Sequence, residues 1–196
     1  VLPLLRGAPR APLAGLAQAA VITRAIPSTG ERLPIIGLGS WITFNVGNDH
    51  VARDACIEVI RNFLDAGGRM IDSSPMYGNA ENRVGDVLGA MQNVPPLFVA
   101  TKVWTTGAER GIAQMEESAR RMRVKVFDLI AVHNLSDWQT QLATLKRWKG
   151  EGKVRYIGIT TSHGRDHAQL IEVMHNEPLD FVQFSYNIED REAEQV

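Results

Sequence analysis

The sequence predicts an α/β fold, a (β/α) barrel. From Leu33 onward, short apolar runs alternate with longer segments of helical periodicity, at steps of about 30 residues. The run Phe127–His133 is apolar at consecutive positions, which is typical of a parallel strand that helices cover. An open doubly wound sheet usually carries G-x-G-x-x-G after its first strand, and Gly37-Leu38-Gly39 supplies only half of that signature. The barrel is therefore favoured.

The elements follow in the order strand, helix, strand. Each helix is predicted from apolar residues at helical spacing, and the first, second and fourth also from a glycine at or near the end. The predicted strands are residues 34–38, 69–72, 97–102, 127–133, 156–160 and 181–185. The helices between them are marked by Cys56, Ile60 and Phe63; by Val84, Val87 and Leu88; by Ile112, Met115, Ala119 and Met122; by Trp138, Leu142, Leu145 and Trp148, capped by Ser136 or Asp137; and by Leu170, Ile171 and Met174.

Composition excludes several classes of protein. The 196 residues carry 21 Lys and Arg against 22 Asp and Glu, a formal net charge of -1, and 44% of them are hydrophobic. This balance is typical of a globular protein and gives no sign of nucleic-acid binding. No apolar stretch approaches the roughly 20 residues of a membrane span. The single cysteine, Cys56, excludes an internal disulfide and a multi-cysteine metal site, and its helical context predicts a core residue.

Residues 1–20 differ in composition from the rest of the chain. They are rich in Ala, Leu, Pro and Gly, contain two arginines and no acid, and end in Ala17-Gln18-Ala19-Ala20. This resembles the end of a secretion leader with a small-residue cleavage site, and a flexible or surface-packed arm fits equally well. The expected location is cytoplasmic, or exported or periplasmic if these residues are a leader remnant. Residues 21–196 are expected to form the incomplete barrel.

Ionisable residues end three successive predicted strands. Asp72 ends the second strand, Lys102 the third and His133 the fourth. In a (β/α) barrel the carboxyl ends of the strands surround the mouth of the active site. Tyr77 lies in the loop after Asp72, where a proline and a glycine bracket a turn that holds the phenol over this mouth. The pattern predicts one catalytic site made of Asp72, Tyr77, Lys102 and His133.

These four side chains suit the reduction of a carbonyl group. A lysine held by Asp72 favours phenolate, so Lys102 is expected to lower the pKa of Tyr77 from the free value of about 10. Tyr77 then donates a proton, while the neutral imidazole of His133 orients the substrate oxygen. Together they hold the developing alkoxide. Because protein side chains supply no hydride, a nicotinamide cofactor is required, and no metal is needed.

Six stretches of the sequence resemble the aldo-keto reductases. The similarity extends over about residues 26–187 and follows the family's own order. The matching stretches are LPIIGLGSW at 33–41, IDSSPMYG at 71–78, ATKVW at 100–104, DLIAVH at 128–133, GKVRYIGI at 152–159 and FVQF at 181–184.

The resemblance implies a (β/α)8 TIM-type barrel, here truncated after about six strands, and an oxidoreductase that reduces an aldehyde or ketone to an alcohol. It implies that Tyr77 is the general acid and that the other three residues support it. NADPH is the expected cofactor, and NADH stays open because the family's phosphate-binding segment has no counterpart here. The family usually carries Ser-Asn where this chain has Thr160-Thr161, so an amide is missing from the carboxamide site. The positions that match the family's cofactor site are Ser40, Trp41, Asp72, Thr160, Thr161 and Gln183.

Other interpretations of the same residues stay open. Lys102 at a strand end is also compatible with a Schiff-base aldolase, although a paired aspartate disfavours the neutral amine which that role requires. A non-catalytic NADP-binding regulatory or sensor protein of the same fold is the second alternative. Trp41 and Trp104 follow the first and third strands and either wall an apolar substrate pocket or pack beneath a loop.

Six strands do not close an eight-stranded barrel, so the first and last strands are expected to present unpaired edges. We therefore expect residues 1–196 to be part of a longer polypeptide, or a product that pairs with another chain. The sequence carries no signal for an oligomeric state.

Overall fold

A parallel sheet of six strands runs through the structure, and its order in space follows the order of the chain. The computed structural model describes residues 21–162, 164 and 166–196, apart from the side chain of Gln195. The strands are β1 Thr23–Ala25, β2 Arg32–Pro34, β3 Gly37–Gly39, β4 Met70–Asp72, β5 Phe98–Val103, β6 Phe127–His133, β7 Val154–Thr160 and β8 Phe181–Gln183. The helices are α1 His50–Asp65, α2 Ala80–Ala90, α3 Ala108–Met122, α4 Trp138–Gly150 and α5 His167–Asn176, followed by a 3-10 turn at Glu192–Gln195.

Strands β3 to β8 each pair in parallel with the next, and a helix connects every strand to its successor. The sheet curls as the first six strands of a (β/α)8 barrel do, which confirms the predicted fold class. Within the described residues β3 and β8 are the edge strands of this sheet. The leader or arm proposed for residues 1–20 lies outside the described residues. No helix in the described part of the chain combines the length and apolar character that a membrane crossing requires.

The sheet has an apolar layer on each side. On the helix side, Ile130 and Val132 of β6 pack in a cluster with Leu142 and Leu145 of α4. Inside the curl, a smaller cluster contains Phe98, Leu129 and Tyr156, and Phe98 and Tyr156 stack with ring centroids 5.7 Å apart. Every residue of β6 is buried as a result, as the run of consecutive apolar residues predicts.

A β-hairpin that the sequence did not predict lies before the sheet. Strands β1 and β2 pair antiparallel, and Ile26 between them packs on the inner cluster. The Tyr156 hydroxyl donates to Glu31 Oε2 at 2.6 Å and thereby ties the hairpin to the sheet. The predicted strand at 34–38 is therefore wrong in its bounds. Pro34 belongs to the hairpin, and Ile35 and Ile36 are exposed between the two sheets.

The helices follow their predicted positions, but their caps differ. Asp49, which the sequence analysis did not single out, caps α1 by accepting from the backbone N–H of Val51 at 2.8 Å and Ala52 at 3.1 Å. Asp137 is the residue before α4, as predicted, yet its carboxylate does not cap that helix. It accepts from Gly107 N at 2.7 Å and from the Thr140 hydroxyl at 2.9 Å, which ties the loop after β5 to the loop after β6.

Gly85 allows α2 and α3 to approach each other closely. A Cβ at this position would lie 2.0 Å from the carbonyl oxygen of Arg121, so the backbone of α3 would have to move. We predict that Gly85→Ala lowers the free energy of unfolding by about 1–3 kcal/mol, the usual cost of overpacking, although Ala favours a helix. Urea unfolding measures this change. Gly150→Ala is the matched control, because a Cβ there meets nothing within 4 Å; an equal loss in both variants would contradict the packing explanation.

Candidate active site

The carboxyl ends of β4, β5 and β6 bring three predicted site residues to one edge of the sheet. Asp72 is the last residue of β4, Lys102 lies one residue before the end of β5, and His133 is the last residue of β6. The parallel register pairs Lys102 with Ala131 and His133 with Thr160, so these side chains stand at neighbouring levels of the sheet.

A buried ion pair forms the centre of this edge. Lys102 Nζ donates to Asp72 Oδ2 at 2.7 Å and to the backbone carbonyl of Ser73 at 2.8 Å. The lysine is only 2% exposed, whereas the side chain of Asp72 is 19% exposed. A buried ammonium group requires partners of this kind, because its transfer from water is otherwise costly. Ser73 is held in turn by Ser40, whose hydroxyl donates to the Ser73 hydroxyl at 2.8 Å.

The loop after β4 places Tyr77 over the ion pair. Lys102 Nζ lies 5.3 Å from the centroid of the Tyr77 ring, and the ring of His133 meets that ring edge-on at a centroid distance of 6.1 Å. On its other side Tyr77 faces Trp41, with the centroids 6.3 Å apart. Tyr77 N donates to Ser74 O at 3.0 Å, which closes a turn in this loop.

The prediction that Lys102 lowers the pKa of Tyr77 is wrong in its direction. Burial disfavours the phenolate, and the nearby carboxylate of Asp72 disfavours it further, so the pKa of Tyr77 rises to about 12. Lys102 donates to Asp72 and to a backbone carbonyl, and its charge does not outweigh burial and Asp72 in setting the pKa of Tyr77. Tyr77 therefore keeps its proton throughout the neutral range.

His133 is neutral at pH 7 in this site. Burial lowers its pKa to about 4, and the charge of Lys102 contributes to that shift. The Ser74 hydroxyl lies 3.1 Å from Nδ1 of the imidazole and fixes the orientation of the ring. Ser74 itself accepts from Met76 N at 3.5 Å.

Two adjoining cavities meet at Tyr77 and His133. The first, of about 370 Å³, is bounded on one side by Trp41 and Met76, and we call it the outer cavity. The second, of about 190 Å³, reaches towards Lys102 and the ends of β7 and β8, and we call it the inner cavity. The outer cavity is lined by Trp41, Met76, Tyr77, His133, Asn134, Ser162 and Ser185. The inner cavity is lined by Tyr77, Lys102, His133, Thr160, Thr161, Ser162, Gln183, Phe184 and Ser185.

The residues predicted to bind a cofactor divide into two groups. Thr160 and Thr161, both buried, and the exposed Gln183 line the inner cavity together. Ser40 is completely buried and lines neither cavity, so its hydroxyl supports Ser73 and does not face a ligand there. Asp72 also lines neither cavity and acts on the site through Lys102.

The two predicted pocket tryptophans have different places. Trp41 lines the outer cavity and is 58% exposed, and its loop is held by Arg83, which donates to the carbonyl of Gly47 at 3.0 Å. Trp104 lines neither cavity, although its ring centroid lies 6.5 Å from that of His133. Trp104 is 45% exposed, so neither tryptophan is buried.

Sequence reasoning missed several polar residues of the site. Ser73 and Ser74 lie between Asp72 and Tyr77 in the family-like stretch at 71–78, and their position between these two residues was the available signal. Asn134 follows His133 directly, and Ser162 follows the two threonines. A small polar residue beside a strand end is too common to be singled out without knowledge of which way its side chain points.

The fold and the geometry define a class: a (β/α)-barrel protein with two adjoining cavities at the carboxyl ends of its strands. A model of the aldo/keto reductase family matches residues 35–196. This chain belongs to the aldo/keto reductase family, as its motifs indicate.

Similar proteins come from bacteria and plants. The chain is 28% identical over 144 residues to methylglyoxal reductase YeaE of Escherichia coli K12, a match that covers 70% of this chain and 49% of that protein. It is 30% identical over 153 residues to L-galactose dehydrogenase of Arabidopsis thaliana, covering 70% and 47% respectively. The chain thus spans about half the length of the curated relatives it matches.

Solved structures of the family have the same fold. The thermostable aldo-keto reductase Tm1743, solved with the inhibitor epalrestat, superposes with a TM-score of 0.75 at 25% identity, over 89% of this chain and 66% of that one. The glycerol dehydrogenase of Gluconobacter oxydans superposes with a TM-score of 0.72 at 25% identity, over 88% of this chain and 57% of that one.

The lowered pKa of His133 predicts a pH dependence of stability. The unfolded chain binds a proton at the ordinary imidazole pKa of 6.5, whereas the folded site binds it only near 4. The contribution of neutral His133 to the free energy of unfolding is fully present above pH 6.5. It is lost as the pH falls towards 4, because the unfolded state takes up the proton first. Urea unfolding at several pH values should show a smaller loss over this interval in His133→Asn than in the parent. His175→Asn, at an exposed position on α5, is the control; the same pH dependence in the parent and in His133→Asn would contradict the assignment.

Proposed function

We propose that this chain carries the active site of a nicotinamide-dependent carbonyl reductase, which reduces a small aldehyde or ketone to an alcohol with Tyr77 as the general acid. The observation that carries the proposal is the position of Tyr77 and His133 where the outer and inner cavities meet. A substrate in the outer cavity and a nicotinamide in the inner one would meet at these two side chains. The membership of the aldo/keto reductase family and the similarity to methylglyoxal reductases support the same reaction class.

Tyr77 supplies the proton in this reaction. With a pKa of about 12 the phenol is protonated at neutral pH, so it holds the proton that it must give. A developing alkoxide is a stronger base than a phenolate, and proton transfer therefore runs downhill only as the carbonyl oxygen gains charge. The raised pKa of Tyr77 therefore suits a donor that protonates an alkoxide and does not protonate a neutral carbonyl oxygen.

His133 orients the carbonyl oxygen without competing as an acid. We infer that the Ser74 hydroxyl donates to Nδ1, because a donor to the carbonyl oxygen requires the imidazole proton on Nε2. A neutral N–H donor beside the Tyr77 hydroxyl holds the oxygen in two hydrogen bonds. The low pKa of His133 keeps this donor neutral through the physiological range.

Lys102 and Asp72 position the acid. The lysine stands 5.3 Å from the centre of the Tyr77 ring and is itself fixed by Asp72 and the carbonyl of Ser73. When the phenol has lost its proton, this ammonium is the nearby cation that stabilises the phenolate. Its two tight partners also favour the charged amine, which disfavours the Schiff-base alternative for Lys102.

The residues of the inner cavity fit a nicotinamide ring with its carboxamide. The hydroxyls of Thr160 and Thr161 and the amide of Gln183 provide both donors and acceptors, which a carboxamide requires. When bound, the reduced nicotinamide supplies the hydride that protein side chains lack. We expect NADPH, in agreement with the similar NADP-dependent D-sorbitol-6-phosphate dehydrogenase of Malus domestica, and NADH remains an alternative.

Tyr77→Phe should lower kcat for carbonyl reduction by at least the roughly 10²–10⁴-fold typical of general acids. The affinity for the cofactor should stay nearly unchanged. The substitution removes the donated proton and leaves the ring in place. Steady-state kinetics with NADPH and a panel of aldehydes, beside a fluorescence titration with NADPH, measures both quantities in the complete protein.

Tyr186→Phe is the matched control, because Tyr186 is exposed and its hydroxyl donates to Glu194 outside the site. Turnover by Tyr77→Phe at the parental rate would rule out Tyr77 as the acid. Binding of NADPH by the parent without its oxidation by any carbonyl would instead favour the regulatory or sensor alternative.

Gln183→Ala is predicted to raise the KM for NADPH more than the KM for the aldehyde. The amide lines the inner cavity and not the outer one, so its loss should weaken the hold on the nicotinamide. Kinetics with each substrate varied in turn separates the two constants, and Gln169→Ala on the exposed face of α5 serves as the control. A larger effect on the aldehyde would move Gln183 to the substrate side.

A further inference from the structure

The outer cavity has a polar wall next to the groups that would hold the reacting oxygen. Asn134 follows His133 directly in the chain, and both line this cavity. Ser162 and Ser185 add further polar groups to the lining, and Trp41 and Met76 add apolar surface. The binding of a simple apolar aldehyde does not require an amide here, because Tyr77 and His133 already supply the two hydrogen-bond donors for its carbonyl oxygen.

The backbone holds Asn134 in a defined position. Asn134 and Leu135 both adopt the left-handed conformation, with φ of 51° each. Asparagine tolerates this conformation better than most residues, whereas leucine does so at a cost that the surrounding structure must offset. Leu135 is buried, and Ser136 N donates to His133 O at 3.1 Å, so the turn is anchored on both sides of the amide. Asn134 is therefore preorganised before any ligand binds.

One end of the Asn134 carboxamide is used within the protein and the other end is free to bind a ligand. Its Oδ1 accepts from the Ser162 hydroxyl at 3.0 Å, and this bond sets the orientation of the amide plane. Within the described residues, Nδ2 donates to no partner and is not buried away from solvent. The outer cavity thus carries a third N–H or O–H donor beside those of Tyr77 and His133.

We propose that Asn134 binds a second oxygen of the substrate, on the carbon next to the reacting carbonyl, so that the site selects α-oxygenated carbonyl compounds. 2-Hydroxyaldehydes, hydroxyketones and 1,2-dicarbonyls are the members of this class. The proposal rests on the carbonyl reduction proposed above. Asn134 lines the same cavity as Tyr77 and His133, so its amide offers a donor to a further oxygen of a substrate whose carbonyl oxygen those two residues hold. A substrate without the second oxygen leaves the amide donor unpaired and is discriminated against.

The test compares two aldehydes that differ by one hydroxyl group, 2-hydroxypropanal and propanal, with NADPH as the cofactor. Asn134→Gly removes the carboxamide and keeps a residue that adopts positive φ without strain. We expect the ratio of kcat/KM for 2-hydroxypropanal to that for propanal to fall about tenfold, the effect of one lost hydrogen bond. Asn134→Asp keeps the shape and removes the N–H donor, and it is tested with 2-oxopropanal against propanal because a second carbonyl oxygen can only accept; the ratio of kcat/KM for this pair should fall even if Asn134→Gly does not fold.

Asn93→Gly is the matched control, because Asn93 also has a positive φ, of 56°, and is exposed in the loop after α2. It should leave both rates and their ratio unchanged. If the parent reduces both aldehydes and neither Asn134 variant changes the ratio, the substrate assignment is overturned while the proposed reduction stands. If the parent oxidises NADPH with neither aldehyde nor with any other carbonyl, the proposed function fails and this inference fails with it.

Discussion

The site depends on a single buried ion pair. Lys102, almost inaccessible to solvent, is stable as an ammonium only because Asp72 and the carbonyl of Ser73 accept its protons at 2.7 and 2.8 Å. Removing one partner from such a pair typically costs about 3–5 kcal/mol, since the other charge is left buried. The ion pair joins β4 to β5 next to the ring of Tyr77, so the position of this phenol is tied to the packing of the strands.

Burial has opposite consequences for the two groups that would hold the substrate oxygen. It raises the pKa of Tyr77 to about 12 and lowers that of His133 to about 4, because in each case the charged form is disfavoured. Both side chains are consequently neutral donors over the whole interval in between. A pair of neutral donors beside a fixed ammonium is suited to a negative charge that develops during a reaction.

Support for the site comes from residues that contact neither cavity. Ser40 holds Ser73, and Arg83 holds the loop that carries Trp41. The hairpin of β1 and β2 anchors the opposite end of the inner cluster through Tyr156 and Glu31. The polar groups at the carboxyl ends are thus positioned by hydrogen bonds from residues outside the two cavities.

The sequence by itself determined the order of the elements, the barrel class and the four residues that meet at the strand ends. Apolar periodicity and the position of a residue at the end of a strand are local properties, and they specify which edge of a parallel sheet a side chain reaches. Three features were decided by tertiary structure: the hairpin, the direction of the Tyr77 pKa shift and the place of Asn134 in the outer cavity. Desolvation depends on every atom packed around a group, and the direction of a side chain depends on backbone angles, so neither can be read from spacing along the chain.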